Sequence, residues 1–316
     1  MRELLEIPSG KWKLHGIAHL PAEARRRRIG VVVVVGPTPK FGTHWLLLQV
    51  AERLAQEGFY ALRYDSRGTC DSQGICDLTF AHRIADVRAV VADFRRRYRL
   101  DAVLAWGLCI SGAVSLHATA EARKPEERFD GLILCNLLSH PSQAQQLPQL
   151  AYGRLDLRTA MKNVFLNENP LQKLWKVVHR SENWLRKGPT LIRRLVRPEQ
   201  ALDQLRQAAP RVGGLLAAYE GPTLLVFGEK DRYWETFRDQ VNPGDRLGLA
   251  KKKIPPAWAF VRDGDHTFSS REQTAAVLRY TLDWVKPFLQ GTQPGPVHSA
   301  LQLWHYNTEA PQTAWR

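Results

Sequence analysis

The chain has 316 residues, with 45 Lys and Arg against 31 Asp and Glu, a formal net charge of +14. Hydrophobic residues at 44% and charged residues at 24% exclude disorder as the main state, and four cysteines are too few for a disulfide framework at this length. The N-terminal stretch MRELLEIPSG has no apolar signal core, and the run Val31 to Val35 falls far short of the roughly 18 residues a bilayer span needs. A cytoplasmic globular protein with no membrane span is therefore expected. The charge suggests an acidic partner, with nucleic acid the first to test.

In chain order, the first 20 residues alternate as in KWKLHGIAHL and predict a hairpin around Pro8-Ser9-Gly10. The β-branched run IGVVVVVG predicts a strand buried on both faces. Thr43 to Glu57 predicts a helix ended by Gly58, followed by a strand FYALRYD and a structural turn Asp65-Ser66-Arg67-Gly68. In that turn Arg67 is expected to be tied to neighbouring carbonyls or carboxylates. Phe80 to Arg99 predicts an amphipathic helix with Asp86 and Asp93 as solvated charges. AVLAWG, ISGAVSLHATAEAR and GLILCN continue as strand, helix and strand.

Such alternation with short connections indicates a parallel sheet with right-handed crossovers. It stops near Leu138. From Ser139 to about Glu220 the pattern is helical, punctuated by six prolines, and it resumes with PTLLVFGEKD, WAFVRDGDH and a helix over Ser269 to Leu289. The expected organisation is an α/β core over 1–138 and 221–289, a helical cap inserted over 139–220, and a tail over 290–316. The tail carries Trp304, Tyr306 and Trp315 and is expected to pack on something.

The chemistry centres on Gly107-Leu108-Cys109-Ile110-Ser111-Gly112, where a strand runs into a helix. Small residues two before and two after the central one mark a nucleophile elbow, here with cysteine where serine usually stands. The helix start directs free N–H groups and its positive dipole end at the nucleophile, which favours a thiolate. Ser111, also flanked by small residues, is a rival nucleophile. Asp231 follows 122 residues later and His266 another 35, in the order nucleophile, acid, base. In this reading Asp231 orients His266, and His266 takes the proton of Cys109. Glu229, Asp263 and Asp265 are nearby acids that compete with Asp231 for that role. The oxyanion hole is assigned to the N–H of Ile110 and that of Thr38, since Pro37 and Pro39 have none to give. His44, at a helix start near that loop, is expected to make a hydrogen bond. Cys70, Cys76 and Cys135 are expected to be plain thiols, because Cys70 and Cys76 lack a second ligand pair at zinc spacing. No cofactor or metal is called for.

These residues resemble the α/β-hydrolase superfamily, and within it the hydrolases associated with the exosortase A system of exopolysaccharide-producing bacteria. The likeness rests on GPTPKFGTHW, RYDSRGTCDSQG, WGLCISGA, GLILCN and GDHTFS and covers roughly residues 30–290. It implies the α/β-hydrolase fold and a nucleophilic role for Cys109 with an Asp–His pair behind it. The chain departs from that subgroup with Val35-Gly36-Pro37 in place of a double glycine before the proline. Ile110 stands in place of an acidic residue, and Cys70 in place of a turn glycine.

From Pro141 to Glu220 there are 13 Lys and Arg against 6 Asp and Glu, half of the net charge, along with five aromatic residues. That composition fits a basic cap over Cys109 whose rim attracts an anionic acyl carrier such as coenzyme A or an acyl carrier protein. The basic residues are interspersed with acids and no nucleic-acid-binding module is recognised, so nucleic acid is set aside as a partner. The expected activity is hydrolysis or transfer of an acyl group through an acyl-cysteine. The alternative is a non-catalytic binding or accessory protein on a hydrolase scaffold. The sequence sets no oligomeric state.

Overall fold

The computed structural model of the protein describes residues 1–23, 25–36, 38–74, 80–139, 212–241 and 247–295. The expected cap therefore lies outside the described residues except at Ser139 and 212–220, of which 212–218 are helical. Cys76 and the tail beyond residue 295 also lie outside them.

Eight strands form one sheet: β1 (Arg2–Ser9), β2 (Trp12–His19), β3 (Ile29–Val34), β4 (Tyr60–Tyr64), β5 (Ala102–Leu108), β6 (Gly131–Cys135), β7 (Thr223–Gly228) and β8 (Ala257–Val261). Their spatial order is β1-β2-β4-β3-β5-β6-β7-β8. The β1–β2 hairpin joins β4 antiparallel, and every pairing from β4 onward is parallel. The valine run of β3 is completely buried, as a strand covered on both faces must be. Ser9 pairs with Trp12, so the hairpin turns on Gly10-Lys11 and Pro8 lies inside β1. Proline is tolerated there because β1 is an edge strand.

Among the described residues, the helices that connect or follow the strands are α1 (Leu46–Gln56), α2 (Phe80–Tyr98), α3 (Ile110–Ala120), α4 (Arg232–Val241) and α5 (Arg271–Gln290), beside the helical stretch 212–218. α1 starts later than the sequence pattern predicts. His44 and Trp45 have φ of 52° and 60°, so Thr43–Trp45 is a tight turn ahead of the helix. The connection from β3 to β4 steps one way across the sheet, and those from β4 to β5 and beyond step the other way. Right-handed crossovers then put α1 on one face and α2 and α3 on the other. In agreement, α1 packs with α5, and α2 packs with α3. The reversal between β3 and β5 opens a crevice at the strands' C-terminal ends, where such sheets bind ligands.

Two features of charge differ from the sequence expectation. Asp86 and Asp93 are buried, not solvated. Asp86 accepts hydrogen bonds from Arg67 (2.6 Å) and from the Ser9 hydroxyl (2.6 Å), and Asp93 accepts from Arg96 (2.6 Å) and Arg97 (3.1 Å). Helical spacing alone cannot distinguish an exposed carboxylate from one paired beneath a neighbouring strand and turn. The arginines of the Arg25–Arg28 run lie at the opposite end of the sheet from the crevice, beside helix C-termini. Arg25 sits over Gly58 after α1 and Arg27 over Gly291 after α5, each so close that an added Cβ would be 2.8 Å from a guanidinium nitrogen. Arg28 donates to the carbonyl of Tyr98, the last residue of α2, at 3.4 Å. Cations there complement the negative ends of the helix dipoles, so part of the +14 serves the fold.

Candidate active site

Cys109 sits between β5 and α3 with φ 60° and ψ −120°, a conformation that L side chains rarely adopt. The chain reverses so sharply that an added Cβ on Gly107 would lie 2.7 Å from the Gly112 nitrogen. Only glycine fits at 107. The backbone N–H of Cys109 donates to the carbonyl of Cys135 at the end of β6 (2.8 Å), which locks the turn against its neighbouring strand. Ile110 is the first residue of α3, so its N–H has no carbonyl one turn back to bond within the helix. Ser111 lies in the first turn of α3, is 2% exposed, and uses its carbonyl to accept from Ser115.

The structure brings Cys109, His266 and Asp231 together. His266 Nδ1 is 2.9 Å from Asp231 Oδ2, and the Cys109 sulfur lies close enough to the same imidazole for its charge to act on it. Asp231 lies three residues past the end of β7, not at its end, and caps α4 by accepting from the Tyr233 N–H through Oδ1 (3.1 Å). The competing acids are otherwise engaged. Glu229 accepts from the Asp263 N–H, Asp263 pairs with Lys230 at 2.7 Å, and Asp265 accepts from the N–H groups of Thr267 and Ser269. Against its partial burial, the Ser269 hydroxyl first and then these N–H groups lower the Asp265 pKa, and together they close the loop that carries His266.

Burial works against a charged His266. The hydrogen bonds and negative charges of Asp231 and Cys109 outweigh it and push its pKa up to about 10. At neutral pH the imidazole thus holds a second proton facing the sulfur.

On the other side, the loop after β3 passes over the start of α3. A side chain at Gly36 would touch Ser111 and Ile110, and Thr38, half-buried, follows in the same loop. That loop is held by Asp65, fully buried at the end of β4, which accepts from the backbone N–H of Lys40 (2.8 Å) and from its ammonium. The carbonyl of His44 accepts from Gln49 (3.3 Å). Cys70, Cys109 and Cys135 are free thiols.

Two residues at the site carry no motif signal. Tyr233, at the start of α4, is buried and stacks edge-on to His266 with ring centroids 4.5 Å apart. Asn136, fully buried after β6 with φ 42°, brackets both loops. Its amide nitrogen donates to the carbonyls of Asp265 (3.2 Å) and His266 (3.0 Å), and its amide oxygen accepts from the Gly228 N–H (2.9 Å). An Asn directly after a buried strand is the one hint the sequence offers.

The fold is shared with known hydrolases at low identity. GrgF, an α/β hydrolase from Penicillium sp. sh18, is 18% identical with a TM-score of 0.59, over 93% of this chain and 99% of that one. Est1E from Butyrivibrio proteoclasticus is 16% identical with a TM-score of 0.55, over 89% and 98%. A dienelactone hydrolase from Anabaena variabilis is 14% identical with a TM-score of 0.54, over 90% and 96%. No curated protein matches the sequence. The model of the serine aminopeptidase S33 family of hydrolases matches residues 34–241, about two thirds of the chain, spanning the loop after β3, the elbow and Asp231. This chain, with cysteine at its elbow, belongs to that family of α/β hydrolases.

Proposed function

We propose that this hydrolase acts through Cys109 as nucleophile on ester or thioester substrates, with His266 as base and acid and Asp231 as its orienting partner. The observation that carries the reading is Cys109 itself, held at φ 60° at the strand-to-helix turn with the His266–Asp231 pair against its sulfur. Ser111 sits inside α3, with φ outside the left-handed region that marks the elbow.

The sulfur attacks the acyl carbon, and the carbonyl oxygen takes up negative charge facing the N–H groups of Ile110 and Thr38. The bond to the leaving group then breaks, with the His266 proton passing to that group, and an acyl-cysteine remains. Water, or an acceptor amine or thiol, gives a proton to His266 and attacks the same carbon, which releases the acyl product and restores the sulfur. The basic composition of residues 141–220 supports a substrate borne on an anionic carrier, coenzyme A or an acyl carrier protein.

Intact-mass spectra after incubation with an activated acyl thioester test this. The acyl mass is expected on Cys109, lost in Cys109→Ala and kept in Ser111→Ala. Undiminished labelling of Cys109→Ala overturns the reading.

A further inference from the structure

Leu46 and Leu47 open α1 and are buried, but two aromatic residues just before them face outward. Phe41 is 39% and Trp45 59% exposed, and no other aromatic residue is exposed among the described residues. Their rings lie against each other, with centroids 5.0 Å apart and planes tilted by 33°. The backbone is strained to hold them there. φ is 73° at Gly42, 52° at His44 and 60° at Trp45. For a side chain as bulky as tryptophan that region is an outlier, and strain of this kind clusters at functional sites. Leu46 and Leu47 already anchor the turn to the core, so the exposed rings add little to it.

The position of the pair gives it a use. It belongs to the loop after β3 that carries the Thr38 N–H and is tied at Lys40 to Asp65, just past the end of β4. β4 lies two strands from β5, which presents Cys109, so that anchor is about 10 Å to one side of the nucleophile. Phe41 follows it directly. β7 and β8, whose loops carry Asp231 and His266, lie on the other side of β5. A leaving group must be within reach of His266 to receive its proton, which directs that arm of the substrate toward β8. The acyl arm then runs toward β4.

We propose that Phe41 and Trp45 form a binding platform for an apolar acyl group, so that the preferred substrates are esters or thioesters whose acyl chain or ring is long enough to reach them. The inference rests on the reading of Cys109 as the residue that is acylated. An acetyl group ends short of the platform, whereas an octanoyl chain spans the gap and covers apolar surface on the rings.

Trp45→Asn removes one ring and suits the left-handed backbone, which asparagine tolerates. The measurement is kcat/KM for acetyl, octanoyl and benzoyl esters of para-nitrophenol, which share one leaving group. The octanoyl-to-acetyl ratio is expected to fall about tenfold, as for roughly 50 Å² of lost apolar contact, chiefly through KM. A fall confined to the benzoyl-to-acetyl ratio supports the platform with an aromatic acid as its ligand. The melting temperature is expected to hold or rise as strain is relieved. Phe41→Ala is the second variant and is expected to lower the same ratios.

Unchanged ratios in both variants overturn the proposal. So does an equal loss on all three esters with a lower melting temperature, which assigns the rings to packing. A loss that follows the alcohol, seen with octyl acetate against ethyl acetate, overturns it by placing the rings on the leaving-group arm. Cys109→Ala separates the two levels of inference. Ester turnover retained in Cys109→Ala brings down the nucleophile reading, and the ratios in Trp45→Asn still judge the platform. An inactive Cys109→Ala beside wild-type ratios in Trp45→Asn and Phe41→Ala brings down the platform alone. Should no ester turn over, calorimetric binding of octanoyl-N-acetylcysteamine to Cys109→Ala is the readout. Affinity about tenfold weaker on adding Trp45→Asn supports the platform, and equal affinity or no binding overturns it.

Discussion

Asp231 divides its carboxylate between His266 and a helix. Oδ2 meets His266 Nδ1 at 2.9 Å, while Oδ1 holds the Tyr233 N–H at 3.1 Å at the start of α4. The helix N-terminus favours the negative charge and fixes the side-chain rotamer, so His266 faces a pre-oriented acceptor. Asp231→Asn keeps the helix cap, because asparagine caps well, but offers His266 an uncharged partner. By analogy with acid-to-amide changes in catalytic triads, kcat is expected to fall about 10³-fold or more with little loss of stability. Steady-state ester hydrolysis and thermal melting check the two halves.

The raised pKa of His266 makes stability depend on pH. Its folded value is about 10 against an ordinary 6.5, so the proton binds more tightly in the folded state. The resulting stabilisation is complete below about pH 6.5 and is lost as pH rises through about 10. Urea midpoints measured from pH 6 to pH 10 are expected to fall over that window. His266→Gln is expected to flatten the decline, and an equal decline in that variant contradicts the assignment.

Asn136 bonds both loops that carry Asp231 and His266, with all of its side chain buried. Asn136→Ala leaves two carbonyls and one N–H without this partner, and places alanine at φ 42°. A destabilisation of about 2–4 kcal/mol is expected, with a larger loss of kcat than of substrate affinity. Chemical denaturation and a kcat and KM comparison report the outcome. Full activity would show that the loops hold without it.

Gly107→Ala would place its Cβ 2.7 Å from the Gly112 nitrogen, where backbone and not a flexible side chain must yield. The elbow would have to open. Destabilisation by about 3 kcal/mol or more, or failure to fold, is expected, and soluble yield with thermal melting measures it.

Arg67 and Asp86 form a buried pair, with side chains 14% and 1% exposed. Arg67→Met takes the ion-pair partner from a buried carboxylate that keeps the Ser9 hydroxyl and is expected to cost about 3–5 kcal/mol, whereas replacing both partners with apolar residues costs much less. Urea unfolding of the single and double variants checks this, and an additive double variant contradicts the coupling.

Local pattern was enough to determine the parallel strands β3 to β8 and most helices, because a buried strand shows as an unbroken β-branched or apolar run and a crossover helix by its period. The small-x-Cys-x-small spacing at the end of β5 likewise follows from a steric demand confined to a few consecutive residues. Which of Glu229, Asp231, Asp263 and Asp265 meets His266 was open in the sequence, since all four lie in loops after neighbouring strands. Strand order and the rotamer imposed by the cap of α4 decided it. Tyr233 and the buried Asp86 were illegible for the same reason, and Asn136 showed only as an Asn after a buried strand, without its partners. Periodicity reports how much of a residue is covered, but the partner of a polar side chain is set by elements brought together from more than 100 residues away in the case of Asn136 and His266. Only tertiary structure holds that information.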